Sequence, residues 1–502
     1  MIWTIIIIYM LVMVGIGIYS KTKIKNSTDY HLAGRRLGPI MLAGTLAATE
    51  IGGGSSVGVA AKAYGAWGIS AGWYVVATGL GIFLVSFIAP HMRRAMATTV
   101  PEIIGRRYGK SSHAVTSIVA LIALVGLAAA QIVATATIIN VLTGFDMRWA
   151  VVISGLIVVF YTWLGGMWSV TLTDFVQFFC IVIGFAIAIP FALNNLHGIS
   201  AFDWNQVAAS WQHVRSTLPA EKFDGTKLGW LTIFGLTVMY FMTFSTGQEA
   251  VQRYYSARNE KVAITGSLLC SALIALYAFI PAVLGLIALT AFPDIKDSTA
   301  LATLSVNLLP PVISGILLSA VISATLSSAS GDLLGAASIY VKDIHPLMHP
   351  QKTLEGAHEL RMSRALVVIV GIIAVGIALF SQDIIGLLVF SFTLRATGPF
   401  AAYILGLTWE KVTPGSGIWS ISAGLVTGLV WELIHGEKRF GVMSIIVGSL
   451  ASLIVFLIVF LIVVAIERKA GVAYAPSVYP DEVETPDTTK LHPIVMERSE
   501  TK

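Results

Sequence analysis

The sequence predicts an all-α polytopic membrane protein of about 13 transmembrane helices. Hydrophobic residues make up 56% of the chain and charged residues only 12%. The mean hydropathy is +0.82. Apolar stretches long enough to cross a bilayer recur from one end to the other, which excludes a soluble domain. The formal net charge of +5 reads as topology, because the basic residues cluster beside apolar spans. They form no single basic surface of the kind a nucleic acid needs. Cys180 and Cys270 both fall inside spans and read as small packing residues.

The first span covers 2–20 and is followed by Lys21, Lys23 and Lys25. A signal peptide carries its charge before the apolar run, so this order predicts a retained helix with its N-terminus outside. The next span, near 39–63, is interrupted at mid-depth by Glu50 and the three glycines Gly52, Gly53 and Gly54. Glycines weaken a helix, and backbone released inside hydrocarbon is tolerated only where it lines protein or a watery cavity. A helix broken there is where ion and substrate sites are built. Further spans are expected near 70–90, 113–143, 149–165 and 171–194, followed by a polar loop containing Trp204 and Trp211. Beyond it come spans near 228–252, 262–292, 300–341, 362–380, 384–408, 415–434 and 441–466. The interval 300–341 is too long for one crossing and predicts a short or re-entrant helix before the spanning part. Alternating these spans puts roughly 18 Lys and Arg in inner loops against about 8 outside, which favours an outer N-terminus and an inner C-terminus. Residues 467–502 are polar and proline-bearing and read as a disordered cytoplasmic tail.

Charges inside the spans narrow the search to Glu50, Asp174, Glu249, Asp332 and Arg395. Each costs on the order of 3 kcal/mol at a helix centre, so each is expected to be paired, to face a cavity or to handle an ion. Arg395 is placed either as a structural partner of Asp332 or Glu50, or as a ligand-binding group. Glu249 reads as interfacial. A second cluster, Ser323-Ala-Thr-Leu-Ser-Ser-Ala-Ser-Gly-Asp332, is rich in hydroxyls. Such residues often only bond back to the preceding turn, but sodium is a hard cation that takes oxygen ligands. A broken helix supplies carbonyls and a facing helix can add hydroxyls.

Three patterns then resemble the sodium:solute symporter family over nearly the whole chain. They are the broken helix after Leu32–Gly38, the run Gly165-Gly-Met-Trp-Ser-Val-Thr-Leu-Thr-Asp174-Phe-Val-Gln177, and Gln252-Arg253 before a basic loop. The resemblance implies a LeuT-like core of two inverted five-helix repeats, 39–194 and 228–408, joined by an external loop, 195–227. Residues 1–38 add a leading helix and loop, and 409–466 add two further helices. A break near Ser245–Gly247 is the expected counterpart of Gly52–Gly54.

The resemblance also implies a sodium site made by the carbonyls of Ala48, Ile51 and Ala324 and the hydroxyls of Ser327 and Ser328, with a register through Thr325 as an alternative. A second cation site would use Asp174 and Ser330, with Ser327, but Gly331 stands where the family pattern has a further serine. For the solute, the resemblance points to Gly53, Gly54, Ser55, Gln131, Thr243 and Gly247, with Glu50 facing an ammonium and Arg395 gripping a carboxylate. The activity implied is sodium-coupled symport of a small amino acid or carboxylate across the inner (plasma) membrane. Proton coupling through Glu50, Asp174 and Asp332, or a choline-type solute caged by Trp67, Trp73 and Tyr74, are the alternatives. The expected partners are the solute, sodium and the bilayer; no cofactor, nucleic acid or obligate protein partner is inferred. No His-Glu-x-x-His motif occurs and no nucleophile with a base, or metal-ligand pair, is read at mid-depth, so no intramembrane enzyme is indicated.

Overall fold

The computed structural model describes residues 1–24, 27–198, 200–351, 354, 356–436, 439, 441–467 and 472–479. Lys25, Lys352 and the expected disorder of 480–502 lie outside the described residues. Among those described, the protein is all-helical, with one isolated bridge between Leu37 and Ala257. Eight helices are long and apolar enough to cross a membrane, and two bent pairs raise the number to ten.

The apolar helix α1 (Ile2–Lys21) lies against the bundle's outside, tied to it by Tyr9. Its phenol accepts from Ser323 Oγ at 2.6 Å and from Gln177 Nε2 at 3.1 Å. Next, α2 (Pro39–Glu50) starts with proline in its first turn, where a missing N–H does no harm, and stops at Ile51. The chain resumes as a helix at Gly54, so the expected 39–63 span is two pieces separated by the glycines. After a turn at Gly68, α3 (Gly72–Val85) packs on residues 230–246 and 260–277.

The longest uninterrupted helix is α4 (Lys110–Thr143), and it ends in a left-handed glycine, Gly144. The helical run α5 (Met147–Asn194) is broken at Gly166, whose φ of 57° and ψ of −168° lie outside the helical region. It therefore forms two segments, one on each side of the break, where two spans were expected. The polar connection after it contains α6 (Trp204–Thr217), where only a loop was expected. Asp203 caps that helix through the N–H of Asn205 at 2.9 Å.

The second half begins with α7 (Trp230–Thr246) and α8 (Gln248–Ser256), which meet at a 59° bend on Gly247. After α9 (Glu260–Tyr277), the short helix Ala300–Leu308 precedes α10 (Pro311–Ile339), so the 300–341 interval does hold a short helix and a spanning one. Beyond α11 (Gly356–Phe380), α12 (Ile384–Thr397) and α13 (Pro399–Thr408) form the second bent pair, at 47°. The sequence showed one straight span there; Gly398-Pro399 makes the break. Two antiparallel helices, α14 (Pro414–Leu433) and α15 (Ser444–Glu467), pack closely on one another at the periphery.

The bundle is held around α10, which is buried along most of its length and packs on α5, α4 and α1. Small residues line it, and these let backbones approach closely where lipid gives no hydrophobic drive for association. Residues 472–479, expected to be disordered, dock on the end of the bundle that carries the basic loops. Arg107 Nη1 donates to the Ala475 carbonyl at 2.9 Å, the Ala475 N–H donates to Val412 at 2.8 Å, and Tyr479 donates to Leu407 at 2.5 Å.

Candidate ion and solute site

The centre of the molecule is where α2 stops against α10. Ile51 leaves helical geometry with φ −83° and ψ 70°, which frees carbonyls of the last turn, among them those of the expected ligands Ala48 and Ile51. Ser328 of α10 faces that end: its Oγ donates to the Thr49 carbonyl at 2.5 Å and to the Ala324 carbonyl at 3.1 Å. Such an approach requires glycine. A Cβ at Gly52 would lie 2.5 Å from Ser328 Oγ, and one at Gly53 would lie 2.5 Å from the Ala134 methyl. Gln131 of α4 holds the break open, accepting from the Gly53 N–H at 2.7 Å.

Thr325 turns towards α4, where its hydroxyl accepts from Thr135 at 2.7 Å. Ser328, rather than Thr325, therefore meets the broken helix. Ser327 points to the other side of α10 and donates to Asp174 Oδ1 at 2.6 Å. These contacts set Ser328 against the carbonyls of Thr49 and Ala324, neutral oxygens of the kind a hard monovalent cation takes.

Asp174 sits behind that point and is fully buried. Its Oδ2 accepts from Thr45 at 2.6 Å, from Arg253 Nη2 at 2.9 Å and from Thr49 at 3.4 Å. Arg253 reaches it from α8, also donating Nε to Thr45 at 3.1 Å. Ser330 turns away, donating to the Ser327 carbonyl at 2.9 Å. The two residues expected to share a cation are thus not aimed at one point, and a guanidinium stands beside the carboxylate. A side chain at Gly331 would meet that guanidinium first, at 3.4 Å.

A cavity of about 420 Å³, its open mouth included, adjoins the break. Of the expected solute residues, Glu50, Gly54, Ser55 and Gln131 line it. Thr243, Gly247 and Arg395 stand behind its wall: Arg395 donates Nε to Thr243 at 2.7 Å and Nη1 to Glu249, and Gly247 lies against the guanidinium. The expected partner of Arg395 was Asp332 or Glu50, and Glu249 was read as interfacial. Glu249 is instead 4% exposed, pairs with Arg395 and reaches the cavity, because the bend at Gly247 turns the start of α8 inward.

The sequence reading missed the cavity's Tyr240, Phe244 and Phe392. Of the three cage candidates only Tyr74 lines it. Trp73 donates to the Gly225 carbonyl at 2.7 Å, and Trp67 lies under Lys62. Among the described residues no group of His, Cys, Asp and Glu is arranged to hold a metal ion.

Comparison with known proteins agrees with this geometry. A family model described as the sodium:solute symporter family matches residues 30–424. Sodium/proline symporters of Staphylococcus aureus, from strain bovine RF122 / ET3-1 and from strain JH9, are each 26% identical over 474 residues, covering 90% of both chains. A substrate-bound, outward-open Na+-coupled sialic acid symporter superposes with a TM-score of 0.75 at 18% identity, over 95% of this chain and 99% of the other. Mhp1, a nucleobase-cation-symport-1 family transporter in a closed conformation, gives 0.58 at 13% identity, over 88% and 96%.

Proposed function

Because the chain belongs to the sodium:solute symporter family, we propose that its sodium binds between the broken helix α2 and α10, beside the solute cavity. The chain is a multi-pass membrane transporter with a LeuT-like fold, and it carries a small solute together with sodium. The ion ligands in this reading are the carbonyls of Ala48, Ile51 and Ala324 with the hydroxyl of Ser328; the expected ligand Ser327 turns instead to Asp174. The observation that carries it is Ser328 Oγ at 2.5 Å from the Thr49 carbonyl, which joins the two elements at the break.

Sodium at that joint ties α2 to α10 and completes the cavity wall, so ion and solute each raise the other's affinity. Occupancy by both permits the moving bundle to rock against the scaffold towards the inward-open state. With the N-terminus outside, as the basic loops favour, a membrane potential adds about 2.3 kcal/mol per charge per 100 mV for inward movement. A second sodium is not part of this reading, because Arg253 already supplies the positive charge at Asp174.

Thermal unfolding of detergent-purified protein in sodium and in potassium tests the assignment. Sodium at a hundred times its dissociation constant stabilises by about 2.7 kcal/mol. Ser328→Ala is expected to weaken sodium binding roughly tenfold or more, the equivalent of a lost hydrogen bond to charge. An unchanged sodium response in Ser328→Ala contradicts the site.

A further inference from the structure

The cavity holds more carboxyl groups than the guanidiniums around it can pair with. Glu50, Glu249 and Asp332 all line it. Arg395 engages Glu249 through Nη1, its Nη2 being buried without a partner, and Arg253 engages Asp174, so two guanidiniums serve four carboxyl groups. Asp332 is 3% exposed and has no hydrogen-bond or ion-pair partner among the described residues. Glu50 Oε1 is buried and likewise without one. A carboxylate only accepts hydrogen bonds, so these groups lack donors, a costly state inside a bundle. The rest of the wall presents the rings of Tyr74, Tyr240, Phe244 and Phe392, the last already under the Arg395 guanidinium at 4.9 Å from the ring centroid. Aromatic faces attract cations, and no cationic side chain lines the cavity to receive a solute carboxylate.

We infer that the solute is an organic cation carrying its charge on N–H-bearing nitrogen, with a short dication such as an alkyl diamine satisfying Glu50 and Asp332 together. The inference rests on the transport reading above and names the solute class for the same cavity. A zwitterion would bring a carboxylate among three others. A quaternary amine would bring charge without donors.

The test is thermal unfolding with 1,4-diaminobutane, choline, proline and acetate at millimolar concentration, each in sodium and in potassium. The expected result is a shift from the diamine that is larger in sodium. In Asp332→Asn and, separately, Glu50→Gln, the diamine concentration needed for that shift should rise roughly tenfold or more, as the loss of a charged hydrogen-bond partner implies. The wild-type panel decides the matter even if either variant fails to fold. No diamine shift, or sodium-dependent shifts from proline or acetate alone, overturns the inference and leaves the sodium reading standing. A choline shift equal to that of the diamine overturns the requirement for N–H donors. A diamine shift with no sodium effect supports the solute class while overturning the sodium site.

Discussion

Arg253 shows how much a single buried side chain decides. It is 1% exposed and its partner Asp174 is fully buried, so neither charge is hydrated. Removing one member of such a pair leaves the other uncompensated, at a cost of roughly 3–5 kcal/mol. Arg253→Gln is therefore expected to destabilise the protein by about that amount. Combining it with Asp174→Asn should recover part of the loss, a coupling that a double-mutant cycle on thermal unfolding measures. Additive losses would show that the two side chains do not act as a pair. Arg253 was read only as standing before a basic loop, whereas Asp174, Glu249 and Arg395 were legible in the sequence as charges inside spans. Their pairing was not, because Asp174 and Arg253 lie 79 residues apart and Arg395 and Glu249 lie 146 apart. Only the folded chain selects among five intramembrane charges, and it gave Arg395 to Glu249, leaving Asp332 and Glu50 open to the cavity.

Helices show a similar division. The break at Gly52–Gly54 was readable because three glycines and a carboxylate contradict the span around them, and the hydroxyl-rich face of α10 was readable for the same reason. Gly52→Ala should weaken the sodium response of thermal unfolding, because its methyl would displace Ser328 Oγ from the joint. A normal sodium response in that variant would mean that the close approach is dispensable. α6 was missed since its polar composition reads as loop, although Asp203 ahead of it was an available capping signal. Residues 472–479 were missed because they are held mainly by backbone groups, among them the Ala475 N–H and carbonyl, which leave no trace in side-chain composition. A third element-scale feature fastens the segment before α2 to α10 and α11. His31 lies 2.8 Å from Ser338 and 3.2 Å from Glu359, and burial holds its imidazole below the ordinary value. A depressed folded value favours the neutral ring, so this stability is full above about 6.5 and is lost as pH falls from there towards the folded value. The melting temperature should accordingly drop on acidification below about 6.5, and His31→Gln should flatten that part of the profile. An identical profile in the variant would place the pH dependence elsewhere.

At the scale of the whole molecule, the fold follows from two helices that cannot be continuous and one that cannot be exposed. α2 breaks at its glycines, α7 and α8 bend at Gly247, and α10 fills the space between them with small residues and hydroxyls. This arrangement sets Ser328 on the Thr49 carbonyl and Arg253 against Asp174, and leaves an acidic, aromatic cavity alongside. The reading we propose takes one sodium per transport cycle, since the position a second would use is already balanced by a guanidinium. Direct equilibrium binding of radioactive sodium to the purified protein, counted per molecule, tests this most directly. The account predicts a single saturable sodium in the wild type and a large loss of affinity in Ser328→Ala; two sodium ions per molecule, or binding untouched by that substitution, would contradict it.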